Sequence, residues 1–250
     1  SKEFSKSNIM GFYRGPNIVT DGLLACLDTT STISAPDASS NWTSMIQPRS
    51  SIARNGSPDL TDIDGVRTWE FTAINQWFES SILGADNQPY LDATLEAWIY
   101  PKANVSSGDR GTIARITGNR SLYMSFNKSN RKLSTYWYSH ATNGYHETGA
   151  AMADDEWHHV CSVHNYDDDN CYQYTNMVKT TATGTQADST TYASVNPGQN
   201  IEIGMESTGR QFAGGIAIFR VYNTALTDAQ VIQNYNAVCS KFGKPTVTSV

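Results

Sequence analysis

Residues 212–235 read FAGGIAIFRVYNTALTDAQVIQNY, and this stretch decides the fold class. Gly214-Gly215 opens a run in which Ile216, Ile218, Arg220 and Tyr222 alternate with Ala217, Phe219 and Val221. Both sets are mostly apolar, the pattern of a strand covered on both faces. Asn223-Thr224-Ala225 breaks the run. Thr227-Asp228-Ala229-Gln230 then has the form of a capping box, with Thr227 as N-cap and Gln230 at N3. Leu226 and Val231 occupy hydrophobic-staple positions. Val231, Ile232, Tyr235 and Val238 follow at helical spacing, and Lys241, Gly243 and Pro245 signal the helix end. A strand feeds one amphipathic helix, which is expected to cover an edge or end of the structure.

Outward from this stretch the chain alternates in the manner of β-strands. Leu23–Asp28 (LLACLD) follows a Thr20-Asp21-Gly22 turn. Trp69-Glu70-Phe71 and Gln76–Glu79 read as a pair of strands around a turn at 72–75. Ala93–Pro101 (ATLEAWIYP) reads as a central strand. Ser121–Asn127 and Lys132–Ser139 read as antiparallel neighbours joined at 128–131. The stretch 160–164 and Cys171–Val178 form a hairpin with its tip at 167–170. The periodicity alone gives a two-layer antiparallel β protein with one short C-terminal helix. No repeat or linker divides it. Residues 1–17 read as an N-terminal arm, 18–240 as one domain and 241–250 as a polar tail.

Four segments, in order, resemble a known family. They are Ile18–Asp28 with Trp42, Thr94-Leu-Glu-Ala-Trp-Ile-Tyr-Pro101, Trp157-His-His-Val160, and the closing Phe212–Tyr235 stretch. Together they are similar to the laminin-G-like, pentraxin-type jelly rolls of the concanavalin A-like lectin/glucanase superfamily, of the kind found in tailed-phage virion proteins. The resemblance implies an all-β, two-sheet antiparallel jelly-roll sandwich. Relatives carry Asn-Gly where this chain has Asn176-Met177.

Composition narrows the function. With 39% hydrophobic and 17% charged residues the chain can bury a full two-sheet core. A net charge of −6 and the lack of a basic run argue against nucleic acid as a partner. No apolar stretch is long enough for a membrane span. The N-terminal SKEFSKSNIM lacks the apolar core of a signal peptide. Cys26, Cys161, Cys171 and Cys239 are too sparse for a disulfide framework and read as free buried thiols. With the hairpin centred on Asp168, Cys161 would face Thr175. Synthesis in a reducing cytoplasm fits.

Catalysis finds little support. Jelly-roll glucanases place their carboxyls on one strand as Glu-(apolar)-Asp-x-x-Glu, and that string does not occur. His158 and His159 are adjacent on a strand and point to opposite faces, as structural histidines do. The acidic groups Asp154-Asp155-Glu156 and Asp167-Asp168-Asp169 bracket the Trp-His-His-Val strand. The candidate calcium ligands are Asp154, Asp155, Asp167, Asp168 and Asp169, although no cofactor is required. Candidate sugar platforms are Trp77, Tyr136, Tyr138 and Tyr145. Alternation sends Tyr136 and Tyr138 to one face and Trp137 to the other. Phe4, Ile9, Met10, Phe12 and Tyr13 form an apolar cluster suited to docking the arm on a partner subunit.

The expectation is a non-enzymatic virion protein of a tailed phage, a capsid decoration or a tail or fibre surface protein. Its partners would be other virion subunits, in an oligomeric arrangement, and host-surface glycans. The alternatives are a calcium-dependent lectin module of a bacterial surface protein and a glycoside hydrolase with an atypical acid pair.

Overall fold

A computed structural model describes residues 18–46, 50–80, 92–103, 108–117, 122–138, 143–165, 167–168, 170–182, 200–205 and 210–250. Among them the strands form two antiparallel sheets stacked as a sandwich, with one α-helix near the C-terminus. The first sheet runs β14 (Val178–Ala182), β13 (Asn170–Thr175), β12 (His158–Asn165), β7 (Ala93–Pro101), β16 (Gly214–Tyr222), β5 (Val66–Phe71) and β4 (Asp59–Ile63). A further strand, β1 (Leu23–Asp28), shares an edge of β16 with β5. It pairs with residues 218–222 while β5 pairs with 214–216. The second sheet runs β11 (Asn143–Thr148), β10 (Leu133–Tyr138), β9 (Leu122–Asn127), β8 (Arg110–Ile116), β15 (Ile201–Ile203), β6 (Trp77–Ser80), β3 (Ser51–Asn55) and β2 (Trp42–Thr43).

β7 and β16 lie side by side in the middle of the first sheet, and every residue of both is buried. The pleat explains why neither strand alternates in polarity. Leu95, Ala97 and Ile99 face the second sheet, where they meet Phe78, Ile113, Met124 and Ile203 in one core. Trp98 and Tyr100 face the other way, into a second apolar cluster built with the helix α1 (Asp228–Val238). The helix therefore covers the outer face of the first sheet, not an edge or end as the sequence suggested.

A bulge corrects the reading of β16. Ile216 pairs with Ile99 and Ile218 with Trp98, which leaves Ala217 as an extra residue. One inserted residue reverses the facing of everything on one side of it. Ile216, Phe219 and Val221 thus enter the inter-sheet core, while Ala217, Ile218 and Tyr222 lie under the helix. The strand's first residue has a specific requirement. Gly214 sits at φ 123°, and a Cβ there would lie 1.9 Å from the Tyr100 carbonyl oxygen.

The helix start matches its sequence signature. Thr227 Oγ1 accepts from the Gln230 amide, and Gln230 Oε1 accepts from the Thr227 amide. Asp228 at the first turn accepts from Lys179 Nζ and Tyr174 Oη, both at 2.7 Å, tying the helix to β14 and β13. The C-terminal tail begins later than residue 241. A 3-10 turn over Cys239–Phe242 carries Phe242 onto Trp98, with ring centroids 4.0 Å apart and planes 5° apart.

Two neighbouring elements are not partners. Trp69–Phe71 lies in β5 and Trp77–Glu79 in β6, and these belong to opposite sheets. The link between them is a crossover, organised by Gln76. Its side-chain oxygen accepts from the amides of Thr72 and Ala73, and its side-chain nitrogen donates to the Ser57 carbonyl. Trp69, Phe71 and Phe78 then meet ring to ring across the sandwich. The pairs β9–β10 and β12–β13 form as expected. The second hairpin is shifted by one residue, so Cys161 faces Tyr174 and Cys171 faces His164. All four cysteines are free and buried. At the turn between β13 and β14, Asn176 and Met177 both have positive φ, 49° and 66°. Met177 tolerates a conformation that favours glycine because its side chain is buried beneath the helix.

Candidate functional site

Three of the sequence landmarks meet at one buried carboxylate. Glu96 on β7 is fully buried. It accepts from His159 Nε2 on β12 at 3.0 Å, Arg220 Nη1 on β16 at 3.1 Å and Asn234 Nδ2 on the helix at 2.9 Å. Burial by itself would push the Glu96 carboxyl up, but Arg220 and His159 more than offset this and hold it below the usual carboxylate range. Burial works against the Arg220 charge as well, and Glu96 outweighs it. His158 turns to the Ala153 carbonyl and the Asn176 side chain. Both histidines are thus hydrogen-bonded strand residues. Trp98, Tyr235 and Phe242 pack together above the sheet, Glu96, His159, Arg220 and Asn234 are all buried, and the network fastens helix to sheet.

The outer face of the second sheet differs. Among the described residues no helix packs on it. Phe78, Ile201, Ile203, Ala114, Ile116, Leu122 and Met124 point into the core, so the residues alternating with them face outward. Glu79 on β6 pairs with Glu202 on β15, Glu202 with Arg115 on β8, and Arg115 with Tyr123 on β9. The register continues through Tyr136 on β10 and Tyr145 on β11. One row of polar and aromatic positions thus crosses six strands.

The near end of this row is held in place. Glu79 Oε1 accepts from Asn200 Nδ2 at 2.8 Å, and Glu79 Oε2 accepts from Trp77 Nε1 at 3.4 Å. Arg115 Nε lies 3.6 Å from Glu202 Oε2, and its guanidinium sits over the Tyr123 ring at 5.1 Å. Trp77, Glu79, Glu202 and Arg115 are half-buried. Fixed carboxylates beside aromatic rings suit a polyhydroxylated ligand. A carboxylate oxygen can accept from a hydroxyl and a ring face can cover the apolar side of a sugar, although Glu202 Oε2 is itself buried beside Arg115.

The structure distributes the sequence candidates unevenly. Trp77, Tyr136 and Tyr145 fall on or beside this row, and Tyr138 lies two residues further along β10, opposite Asn143. The two acidic groups lie at opposite ends of the eight-residue β12, roughly 25 Å apart at the strand rise of about 3.3 Å per residue. Asp154 is ion-paired with Arg131. Asp155 lies in an exposed turn at φ 58°. Asp168 accepts from Tyr172 Oη at 2.6 Å and Asn165 Nδ2 at 3.2 Å, beside an exposed Asp167. Asp169 and the arm residues Phe4, Ile9, Met10, Phe12 and Tyr13 lie outside the described residues. Among the described residues no three His, Cys, Asp or Glu side chains gather as metal ligands, and no helix is long and apolar enough to cross a membrane. Glu79, Arg115 and Asn200 are not singled out by the sequence, where Glu202 stands as a lone acid with no second carboxyl on its strand. The signal was present in the polar residues alternating with Phe78 and between Ile201 and Ile203, but pairing them requires the sheet order.

The Laminin_G_3 family model, described as concanavalin A-like lectin/glucanases superfamily, matches residues 79–232. The chain belongs to this family. The matched span holds Glu96, His159 and Arg220 as well as the Glu79–Glu202–Arg115 row. A search of curated proteins finds no significant match. Among solved structures, the chain is similar to domain 4 of AbnA, a GH43 extracellular arabinanase from Geobacillus stearothermophilus, in complex with arabinotriose. The identity is 12% and the TM-score 0.61, over 84% of this chain and 96% of that one. It is also similar to the receptor binding domain of botulinum neurotoxin mosaic serotype C/D, at 11% identity and TM-score 0.64, over 90% and 54% of the two chains. The binding domain of botulinum neurotoxin DC in complex with rat synaptotagmin II gives 12%, 0.62, 87% and 51%. This chain spans about half the length of those neurotoxin chains. At such identities the likeness is one of fold, a lectin-type jelly roll.

Proposed function

We propose that this chain is a non-enzymatic, carbohydrate-binding jelly-roll protein of a tailed-phage virion, exposed on the capsid or tail. The observation that carries the binding half is the outward row Glu79–Glu202–Arg115–Tyr123 with Trp77 and Asn200 beside it. The helix packs on the outer face of the first sheet, whereas on this face Trp77, Glu79, Glu202 and Arg115 keep part of their surface exposed. The arabinanase domain, solved in complex with arabinotriose, and a neurotoxin binding domain, solved in complex with SialylT, support reading a jelly roll of this fold as a glycan binder. The virion half rests on the opening pattern Ile18–Asp28 followed by Trp42, which resembles phage structural proteins, and on an apolar arm suited to docking on another virion subunit. Binding needs no cofactor, because Asn200, Trp77 and Arg115 already orient the carboxylates.

The same pair of carboxylates favours a second reading, a glycoside hydrolase. Directly opposed residues on antiparallel strands have Cβ atoms about 5 Å apart, near the spacing of a retaining pair. A general acid must present a proton to the leaving oxygen. Glu79 instead accepts from two donors, and Glu202 faces a guanidinium. The binding reading is therefore preferred.

Screening the purified chain on a glycan array separates these readings. Binding is expected, is abolished by Trp77→Ala and is unchanged by a chelator. Release of reducing sugar that disappears in Glu202→Gln would instead establish the hydrolase. For the virion half, the protein should be found by mass spectrometry in purified particles, and its absence there refutes that part.

A further inference from the structure

Resting on the glycan-binding reading, we infer that Trp77 and Glu79 form a subsite for one sugar unit, in which Glu79 accepts from two adjacent hydroxyls and the Trp77 ring covers the unit's apolar face. Asn200, held by Thr117, is the positioning residue that fixes Glu79 for this contact.

The acceptor count carries the inference. An ionised carboxylate offers about four lone-pair sites, two on each oxygen. Glu79 uses one on each. Its Oε1 accepts from Asn200 Nδ2 at 2.8 Å and its Oε2 from Trp77 Nε1 at 3.4 Å. One acceptor site remains on each oxygen, side by side on a half-buried group. Two adjacent acceptors match a ligand that brings two adjacent donors, as neighbouring hydroxyls on a sugar ring do. The indole N–H edge is spent on Glu79, so a half-buried Trp77 offers a ligand ring surface. The two residues are two apart on one face of β6, about 6.6 Å at the strand rise, a separation that one sugar unit spans.

The neighbouring strands leave the carboxylate approachable and hold it still. On the β3 side the residue directly opposite Glu79 is Ala53, which is exposed. A methyl group there leaves that flank open to a ligand. Asn55, opposite Trp77 on the same strand pair, turns its side-chain nitrogen to the Ala53 carbonyl. On the other side, the Asn200 amide donates to Thr117 Oγ1 at 3.0 Å, and the Thr117 amide donates to the Asn200 carbonyl at 2.8 Å. These two reciprocal bonds fix Asn200 at the start of β15 and aim its side chain at Glu79. Asn200 thus acts on the ligand through Glu79.

The test titrates the full chain with methyl glycosides of the common hexoses and pentoses, each beside its monodeoxy derivatives. At least one parent glycoside should bind. Deleting either hydroxyl of one adjacent pair should weaken it by roughly ten- to a hundredfold, the loss of a hydrogen bond to a charged group, and deleting the other hydroxyls should change it little. Glu79→Gln, which replaces one acceptor oxygen by a donor nitrogen, should lower the affinity by at least about tenfold. Asn200→Ala should shrink the penalty on the two deoxy sugars to under about threefold, a loss of selectivity that a merely structural residue would not produce. Melting temperatures check that the variants fold, and Thr117→Val, which removes the acceptor for the Asn200 amide, replaces Asn200→Ala if that variant does not. Selectivity unchanged in the folded variant overturns the role of Asn200. Deoxy sugars that all bind like their parents, or array glycans that bind while no methyl glycoside does, overturn the subsite and leave the glycan-binding reading intact. Absence of binding to every glycan removes both.

Discussion

Substituting Glu96 by Gln tests the account of the helix–sheet junction most directly. The change preserves side-chain size and one acceptor oxygen but deletes the charge facing Arg220. Arg220 would then be a buried cation without its counter-charge, 3.1 Å from an uncharged amide group in place of a carboxylate. Breaking one side of a buried, hydrogen-bonded pair costs about 3–5 kcal/mol, a large part of a typical folding free energy of about 5–15 kcal/mol. For a domain of this size each kcal/mol shifts Tm by roughly 2–4 °C, so the variant should melt roughly 6–20 °C lower. Thermal and urea unfolding followed by circular dichroism measure this. The pair Glu96→Leu/Arg220→Met leaves no buried charge behind but takes the acceptor from His159 Nε2 and Asn234 Nδ2, so it should recover only part of the loss. The pH dependence has a defined sign. The folded-state pKa of Glu96 lies below the ordinary value of 4.5. Its contribution is therefore complete above that value and is lost as the pH falls through the lower folded one. The stability gap between wild type and Glu96→Gln should narrow in that acid range. A loss under about 1 kcal/mol, the worth of an exposed ion pair, or a gap indifferent to acid, would show that the network does not fasten the helix as described.

Other consequences are testable separately. Phe242→Ala should destabilise by about 3–5 kcal/mol and change the near-ultraviolet dichroism of Trp98, on which Phe242 stacks; a neutral effect would return residue 242 to a free tail. Gly214→Ala should cost at least about 2 kcal/mol from backbone strain and the clash with the Tyr100 carbonyl, measured by urea unfolding. Thiol labelling of the native protein at pH 8 should be negligible and rise to all four cysteines in denaturant. Each cysteine is buried, and burial pushes the Cys171 thiol up to about 12; rapid labelling of the folded state would contradict that burial.

What could be read from the sequence follows from the range of the forces involved. β7, β12, β16 and the helix were visible because local pattern dictates them. Continuous apolar runs mark strands buried on both faces, and Thr227 with Gln230 caps the helix through contacts three residues apart. The Ala217 bulge was not visible, because an extra residue declares itself only through its partner strand. The opposite-sheet placement of β5 and β6 was hidden for a similar reason. A turn of four residues suits a hairpin, and only the packing of Trp69 and Phe71 on Phe78 across the sandwich shows that it is a crossover. The candidate site was the least legible part. Trp77 could be singled out by its residue type. The pairing of Glu79 with Glu202 depends on β15 inserting between β6 and β8, and a search for two acids on one strand passes over it.

The clamp around Asn234 has a mechanical consequence. Its side-chain oxygen accepts from the Val19 amide, and Tyr222 Oη donates to the Val19 carbonyl. Val247 is in turn hydrogen-bonded to Asn236, one residue pair further along the helix. The chain therefore comes into the domain and leaves it at neighbouring points. Tension applied through the two flanks would pull this junction apart and largely bypass the long strand pairings of β7, β12 and β16. The row from Glu79 to Tyr145 lies on the opposite sheet, away from this junction.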